Sequence, residues 1–273
     1  MEKSLDDNAS VPLKVGLTYN LKHNVASEAE DEEAEYDSED TVYALKKALE
    51  KANCQVTLLE ATEELPLRLR ESRPDIVFNI AEGTGGRGRE AQVPAVLNMF
   101  RIPYTGSDET TLCIALDKAL TKRLLTTYHV KTPKYQVISK EHPKLSTSVK
   151  FPVIVKPNAE GSSKGISDSA IVFSKKELDN LIETNMALYK QDMLVEEYIE
   201  GREFTVGILG NGKDRKVFLP MEIIFLNRQK NFNIYSYQVK KNYKEYVKYE
   251  CPAKLDEETE TKMMRTAGRV YEA

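Results

Sequence analysis

Cysteine and histidine are scarce in this chain, and that narrows what it can build. Cys54, Cys113 and Cys251 are odd in number and far apart. That argues against a disulfide framework or a CxxC metal site and for a reduced, cytoplasmic setting. His23, His129 and His142 are equally scattered, so no metal site is expected from them. No apolar run approaches the roughly 18 residues that span a bilayer. The opening Met-Glu-Lys-Ser-Leu-Asp-Asp lacks a basic-then-apolar export pattern. A basic excess is missing as well: 39 Lys and Arg face 43 Asp and Glu, for a net charge of −4. Neither a membrane nor a nucleic acid is therefore an expected partner.

What is present suits a soluble globular protein. Hydrophobic residues make up 41% and charged residues 30% of 273, enough for one large domain or two to three small ones. Residues 1–12 read as a polar tail ending at Pro12. Leu13 to Thr18 reads as a strand, and the acidic run Ser27 to Asp40 as a solvated loop. Val42, Leu45, Ala48 and Leu49 recur at helical spacing, and strands follow at Gln55–Leu59 and Asp75–Ile80 with a helix near Leu65–Ser72 between them. Strands alternating with helices predict a parallel sheet covered on both faces. Ligands of such sheets bind beyond the strand C-termini, where the loop Glu82-Gly-Thr-Gly-Gly-Arg-Gly88 falls.

Beyond Ser107, strands at Tyr135–Ile138, Val153–Val155 and Met193–Tyr198 with a helix around Lys175–Leu188 predict a second, α+β unit. Glu203 to Leu209 opens a third, with a turn at Asn211-Gly212, a returning strand at Val217–Phe225 and a charged helix from Asp256.

The stretch Phe151–Gly165 carries the most chemical information. The β-branched run Val153–Val155 delivers Lys156 at its end, Pro157 stops the pairing, and Gly161, Ser162, Ser163 and Gly165 form the next loop. Glycines admit positive φ and let amides converge on an anion, so a lysine beside them makes a phosphate site. An ordinary turn with a surface lysine is the alternative. Neither a Walker loop nor a Gly-x-Gly-x-x-Gly fingerprint is present.

Taken in order, Ile102-Pro-Tyr-Thr-Gly-Ser, Ala115-Leu-Asp-Lys, Pro152-Val-Ile-Val-Lys-Pro, Glu160-Gly-Ser-Ser, Glu196-Glu-Tyr-Ile-Glu-Gly-Arg-Glu-Phe-Thr-Val and Tyr249-Glu-Cys-Pro-Ala resemble the ATP-grasp superfamily, and within it the D-alanine–D-alanine ligases. The resemblance covers roughly residues 13–273. It implies α/β and α+β classes in an ATP-grasp fold: a Rossmann-like (pre-ATP-grasp) substrate domain over 13–106, a central lobe over 107–198 and an incomplete C-terminal lobe over 199–273. The implied activity is ATP- and Mg²⁺-dependent ligation of a carboxylate to an amine through an acyl phosphate, here between small amino-acid substrates for cell-wall precursors. Another ligase of the superfamily and a non-catalytic nucleotide-binding protein are the alternatives. Many family members are homodimers, and this sequence leaves that open.

By the same resemblance, Lys118, Lys156 and Lys240 contact ATP phosphates, and Glu160, Gly161, Ser162 and Ser163 close over them. Glu196 with Glu197, Tyr198 and Ile199 reads adenine, and Glu203 holds the ribose hydroxyls. Ser162, Lys240, Lys241 and Glu35 make up the implied catalytic set, and Glu82, Gly83 and Arg87 the substrate contacts. Two positions depart from the family pattern. Glu82 stands where a histidine opens the family's loop, with Arg87 and Gly88 replacing its acidic pair. Lys241 stands where the family has an aromatic residue, often tyrosine. A changed charge pattern in the substrate pocket is the expectation, with a contact taken over by Arg87 or Arg89 as the alternative. The family's Mg²⁺ ligands come after the position at which this sequence stops, so no metal ligand is assigned. Full activity is not expected of this chain, and a truncated form is the expected origin of that ending.

Overall fold

The first strand, β1 (Leu13–Tyr19), is buried without interruption from Val15 onward, as a parallel strand covered on both faces must be. The structure, a computed structural model, describes residues 11–23, 25–167, 169–226 and 233–273; all but the last two residues of the expected N-terminal tail lie outside them. Contacts divide the chain into two units: the chain up to Ala26 with Glu35–Ile114, and Ser27–Ala34 with Ala115–Ala273.

In the first unit, helix α1 (Glu39–Lys51), capped by Ser38 accepting from the Thr41 N–H, leads into β2 (Cys54–Glu60). Helix α2 (Leu65–Ser72), β3 (Ile76–Asn79) and α3 (Gln92–Phe100) follow. The sheet order is β2-β1-β3, all parallel, with Leu17 opposite Leu58 and Phe78. Alternation sends Leu17 and Tyr19 to one face with Val42, and Leu59 and Val77 to the other with Leu65, Leu69 and Leu97. The predicted parallel sheet is thus present, with two apolar layers. Helix α4 (Glu109–Leu116) contains the division between the units.

The second unit begins with α5 (Lys118–Thr127), whose N-cap Asp117 accepts from the Leu120 N–H. It continues through β4 (Tyr135–Ile138), β5 (Val153–Pro157), β6 (Ile171–Val172), α6 (Lys175–Tyr189) and β7 (Met193–Glu197). These strands form an antiparallel sheet in the order β4-β7-β5-β6. Val153, Val155, Met193 and Val195 meet Leu178 and Ile182 of α6 in a closed core.

Strands β8 (Glu203–Thr205), β9 (Ile208–Leu209), β10 (Lys216–Val217) and β11 (Met221–Phe225) come next, then α7 (Tyr237–Lys241), α8 (Tyr243–Tyr246), β12 (Val247–Glu250) and α9 (Glu257–Glu272). Sheet β12-β11-β8 is antiparallel, and β9 pairs β10 separately. The sequence reading had one strand over Val217–Phe225. It is two, because Pro220 has no N–H to donate to a ladder.

A second correction concerns the acidic run. Ser27 to Asp40 is not simply solvated: Ala29 and Asp31 are only 5% and 8% exposed. Asp31 Oδ2 accepts the Gly165 N–H at 2.6 Å, and Asp31 Oδ1 accepts the Tyr189 hydroxyl at 3.0 Å. A carboxylate with such donors tolerates burial, which a reading by net charge cannot register.

Candidate functional site

In the second unit the ladder sets the geometry. Glu196 on β7 lies opposite Tyr135 on β4 and Ile154 on β5, so Lys156, two residues beyond Ile154, reaches it diagonally on the same face. Lys156 Nζ is hydrogen-bonded to Glu196 Oε1. From α5, Lys122 Nζ sits 2.6 Å from Oε2 and 5.2 Å from the centre of the Tyr135 ring. Burial pushes the Glu196 carboxyl up, but Lys156 and then Lys122 hold it below the usual carboxylate range. Lys122 is the residue the sequence reading missed. One turn after Lys118 on a helix, it reads as a solvated lysine.

The loop after β5 is held on several sides. Ser162 and Ser163 have φ of 45° and 60°, and Gly165 has 76°. A Cβ at Gly165 would lie 2.3 Å from the Pro157 ring, so this position accepts only glycine. Ser163 Oγ donates to the Tyr235 carbonyl at 2.9 Å. Lys118 Nζ donates to the Glu160 carbonyl, and the Glu160 carboxylate accepts from Gln191 Nε2 at 2.6 Å. Lys118 and Gln191 thus tether the loop after β5 at Glu160, and Tyr235 tethers it at Ser163. Successive left-handed residues in such a loop form the kind of amide concavity that takes anions.

The other predicted residues of this unit lie elsewhere: β7 pairs Met193 with Pro157 at the loop end and Glu197 with Val153 at the opposite end, so Glu197, Tyr198 and Ile199 leave the sheet there. Glu197 Oε1 accepts the Lys150 N–H at 3.0 Å, the Tyr198 hydroxyl donates to the Asn233 carbonyl at 2.9 Å, and Ile199 is 68% exposed. Burial raises the Glu203 carboxyl and lowers the Lys240 ammonium. Lys240 Nζ lies 5.6 Å above the Tyr235 ring, and Lys241 is an exposed residue 6.0 Å above Tyr237.

The first unit holds the other predicted group. Asn20, at the C-terminal end of β1, accepts the N–H groups of Glu82 and Gly83 on its Oδ1 at 3.0 and 2.9 Å. That places the glycine-rich loop beyond the ends of β1 and β3. A Cβ on Gly83 would fall 2.0 Å from the Arg89 carbonyl oxygen. Arg87 is exposed, whereas Arg89 is buried and forks onto Glu35 at 2.6 to 3.0 Å. The Glu82 carboxyl is raised to about 7 by burial, then by Glu90 and Glu35, against a smaller pull from Arg89. The Arg89–Glu35 fork, 54 residues apart in sequence, was not anticipated; no local pattern announces such a pair.

Comparison with known proteins places this geometry in context. The family described as D-ala D-ala ligase C-terminus matches residues 124–273. A D-alanine–D-alanine ligase from Aquifex aeolicus is 39% identical over 169 residues, 61% of this chain and 55% of that protein. One from Zymomonas mobilis is 30% identical over 227 residues, covering 83% and 67%. The chain thus spans between about half and two thirds of the length of these curated relatives. The crystal structure of a Bacillus anthracis D-alanine–D-alanine ligase complexed with ATP superposes with a TM-score of 0.69 at 20% identity, over 95% of this chain and 77% of that one. The fold is therefore ATP-grasp.

Proposed function

The chain belongs to the D-alanine–D-alanine ligase family, and from that membership we propose that it binds ATP in its second unit and serves ATP-dependent ligation of a carboxylate to an amine. The observation that carries this reading is the convergence of Lys118, Lys156 and the left-handed Ser162–Gly165 loop on one sheet end. Phosphoryl transfer needs a positioned triphosphate and positive charge where negative charge develops. Lys156 and Lys118 supply the charge, and the loop amides supply oriented donors. Glu196 to Ile199 line the adenine, Glu203 the ribose, and Lys240 a further phosphate. An ionised Glu203 accepts two hydroxyl donors without offering a competing one.

Amino acids of the D-alanine type are the proposed substrates, with Glu82, Gly83 and Arg87 at the substrate end of the first unit and Ser162, Lys241 and Glu35 as supporting catalytic groups. In domain terms, 13–106 is the substrate domain, and 107–198 and 199–273 are the two lobes that hold nucleotide. Mg²⁺ is the metal this chemistry uses, but no group of three or more His, Cys, Asp or Glu side chains among the described residues is arranged to hold one. Among the described residues no helix is long and apolar enough to cross a membrane, and the three cysteines are free, which supports a cytoplasmic setting. A homodimer is read by light scattering.

Isothermal titration with ATP tests the reading directly. Binding that depends on Lys156 supports it, and absence of heat from folded protein sinks it. ATP hydrolysis stimulated by D-alanine separates a ligase from a nucleotide-binding protein without turnover.

A further inference from the structure

Glu196 holds two ammonium groups although one would neutralise it. The two are not equivalent. Lys122 has a side chain 10% exposed, against 18% for Lys156. Its ammonium is fixed over the ring of Tyr135, and the Tyr135 hydroxyl in turn donates to the Ala119 carbonyl on the same helix at 3.3 Å. Helix, strand and ion pair therefore clamp Lys122 from three directions. Lys156 instead lies one residue before the end of its strand, next to Pro157, on whose ring the following loop packs.

We propose that Lys122 is a positioning residue: the resident counter-ion of Glu196, which lets Lys156 leave that carboxylate and engage the phosphates of a nucleotide. The proposal rests on the nucleotide-binding reading above. The physical reason is the cost of an unpaired buried ion. The Glu196 side chain is 8% exposed, and removing its last cation would leave a desolvated charge with nothing to offset it. With Lys156 as sole partner, each phosphate contact would be made at the expense of that carboxylate. With Lys122 in place, Glu196 stays neutralised whichever way Lys156 points. The pair plus one thus carries a net positive charge that a polyanion can draw on. Lys122 thereby raises phosphate affinity without touching the nucleotide.

The test compares ATP affinity by calorimetry with adenosine affinity by ligand-observed NMR, on the whole chain and its variants. Lys122→Met is expected to lower ATP affinity about tenfold or more while adenosine changes less than about twofold, because Lys156 becomes the sole counter-ion of Glu196. Lys122→Arg, which keeps the charge, recovers most of the loss. The double variant Lys122→Met/Glu196→Gln removes the buried charge with its counter-ion, and so decides the matter even if Lys122→Met alone fails to fold. Its ATP-to-adenosine affinity ratio should return to that of the unvaried chain. A parallel loss of ATP and adenosine in Lys122→Met, an unchanged ATP affinity, or a ratio that stays low in the double variant overturns the proposal. An unvaried chain that binds no ATP overturns the nucleotide reading together with it.

Discussion

Two buried carboxylates in this molecule are solved differently. In the first unit the Arg89 guanidinium closes on both Glu35 oxygens at 2.6 and 2.7 Å. In the second, Glu196 meets two ammonium groups, one on each oxygen. A bidentate fork holds its carboxylate in one fixed geometry. A carboxylate with two point charges has a surplus, and a flexible lysine can carry that surplus elsewhere. The two arrangements therefore predict different responses to the loss of one cation.

The comparison breaks most visibly in stability. Arg89→Met removes the bidentate partner of Glu35, whose side chain is 5% exposed, and should cost about 3–5 kcal/mol in urea unfolding. Lys156→Met leaves Glu196 with Lys122 and should cost no more than about 1 kcal/mol. Equal losses would mean that the two carboxylates depend on their cations alike. On ligand binding the ranking reverses: Lys156→Met should weaken ATP about a hundredfold, roughly 2.7 kcal/mol, and calorimetry on a variant that melts like the parent chain is the check.

A smaller effect is expected at Asp31. Asp31→Ala leaves the Gly165 N–H and the Tyr189 hydroxyl without their acceptor and should cost about 1–2 kcal/mol. Faster amide exchange at Gly165 would report the loss locally. The smallest change is in pH dependence. Glu82 rises from 4.5 to about 7 in the folded chain, so its contribution is fully present below pH 4.5. It is lost as pH rises through about 7, then stays constant. Glu82→Gln should flatten that decline by about 1 kcal/mol, its partial exposure having been allowed for, as followed by thermal melts across the range.

Much of the scaffold was legible because its signals are local. Helix α2 was expected over Leu65–Ser72 and occupies those residues. The strand delivering Lys156 follows from three β-branched residues, but it runs on through Pro157, which pairs with Met193 instead of stopping the ladder as expected. The groups that lend the sites their electrostatics were not legible in the same way. Lys122 owes its role to Tyr135 and Glu196, which arrive from other strands. Arg89 and Asp31 likewise acquire meaning only from partners far along the chain, and Asp31 sits in a run whose charge density suggested solvent. Spacing reveals which residues share a face, whereas a counter-ion is chosen by the tertiary fold.

The contact between residue 165 and the Pro157 ring has a mechanical consequence. With no room for even a methyl group there, the trailing end of the loop rides on the strand as a fixed abutment. Any side chain at 165 would have to push the loop off the Pro157 ring or strain the hydrogen bond from the 165 N–H to Asp31, so the close seating of loop on strand depends on the absence of a single carbon atom.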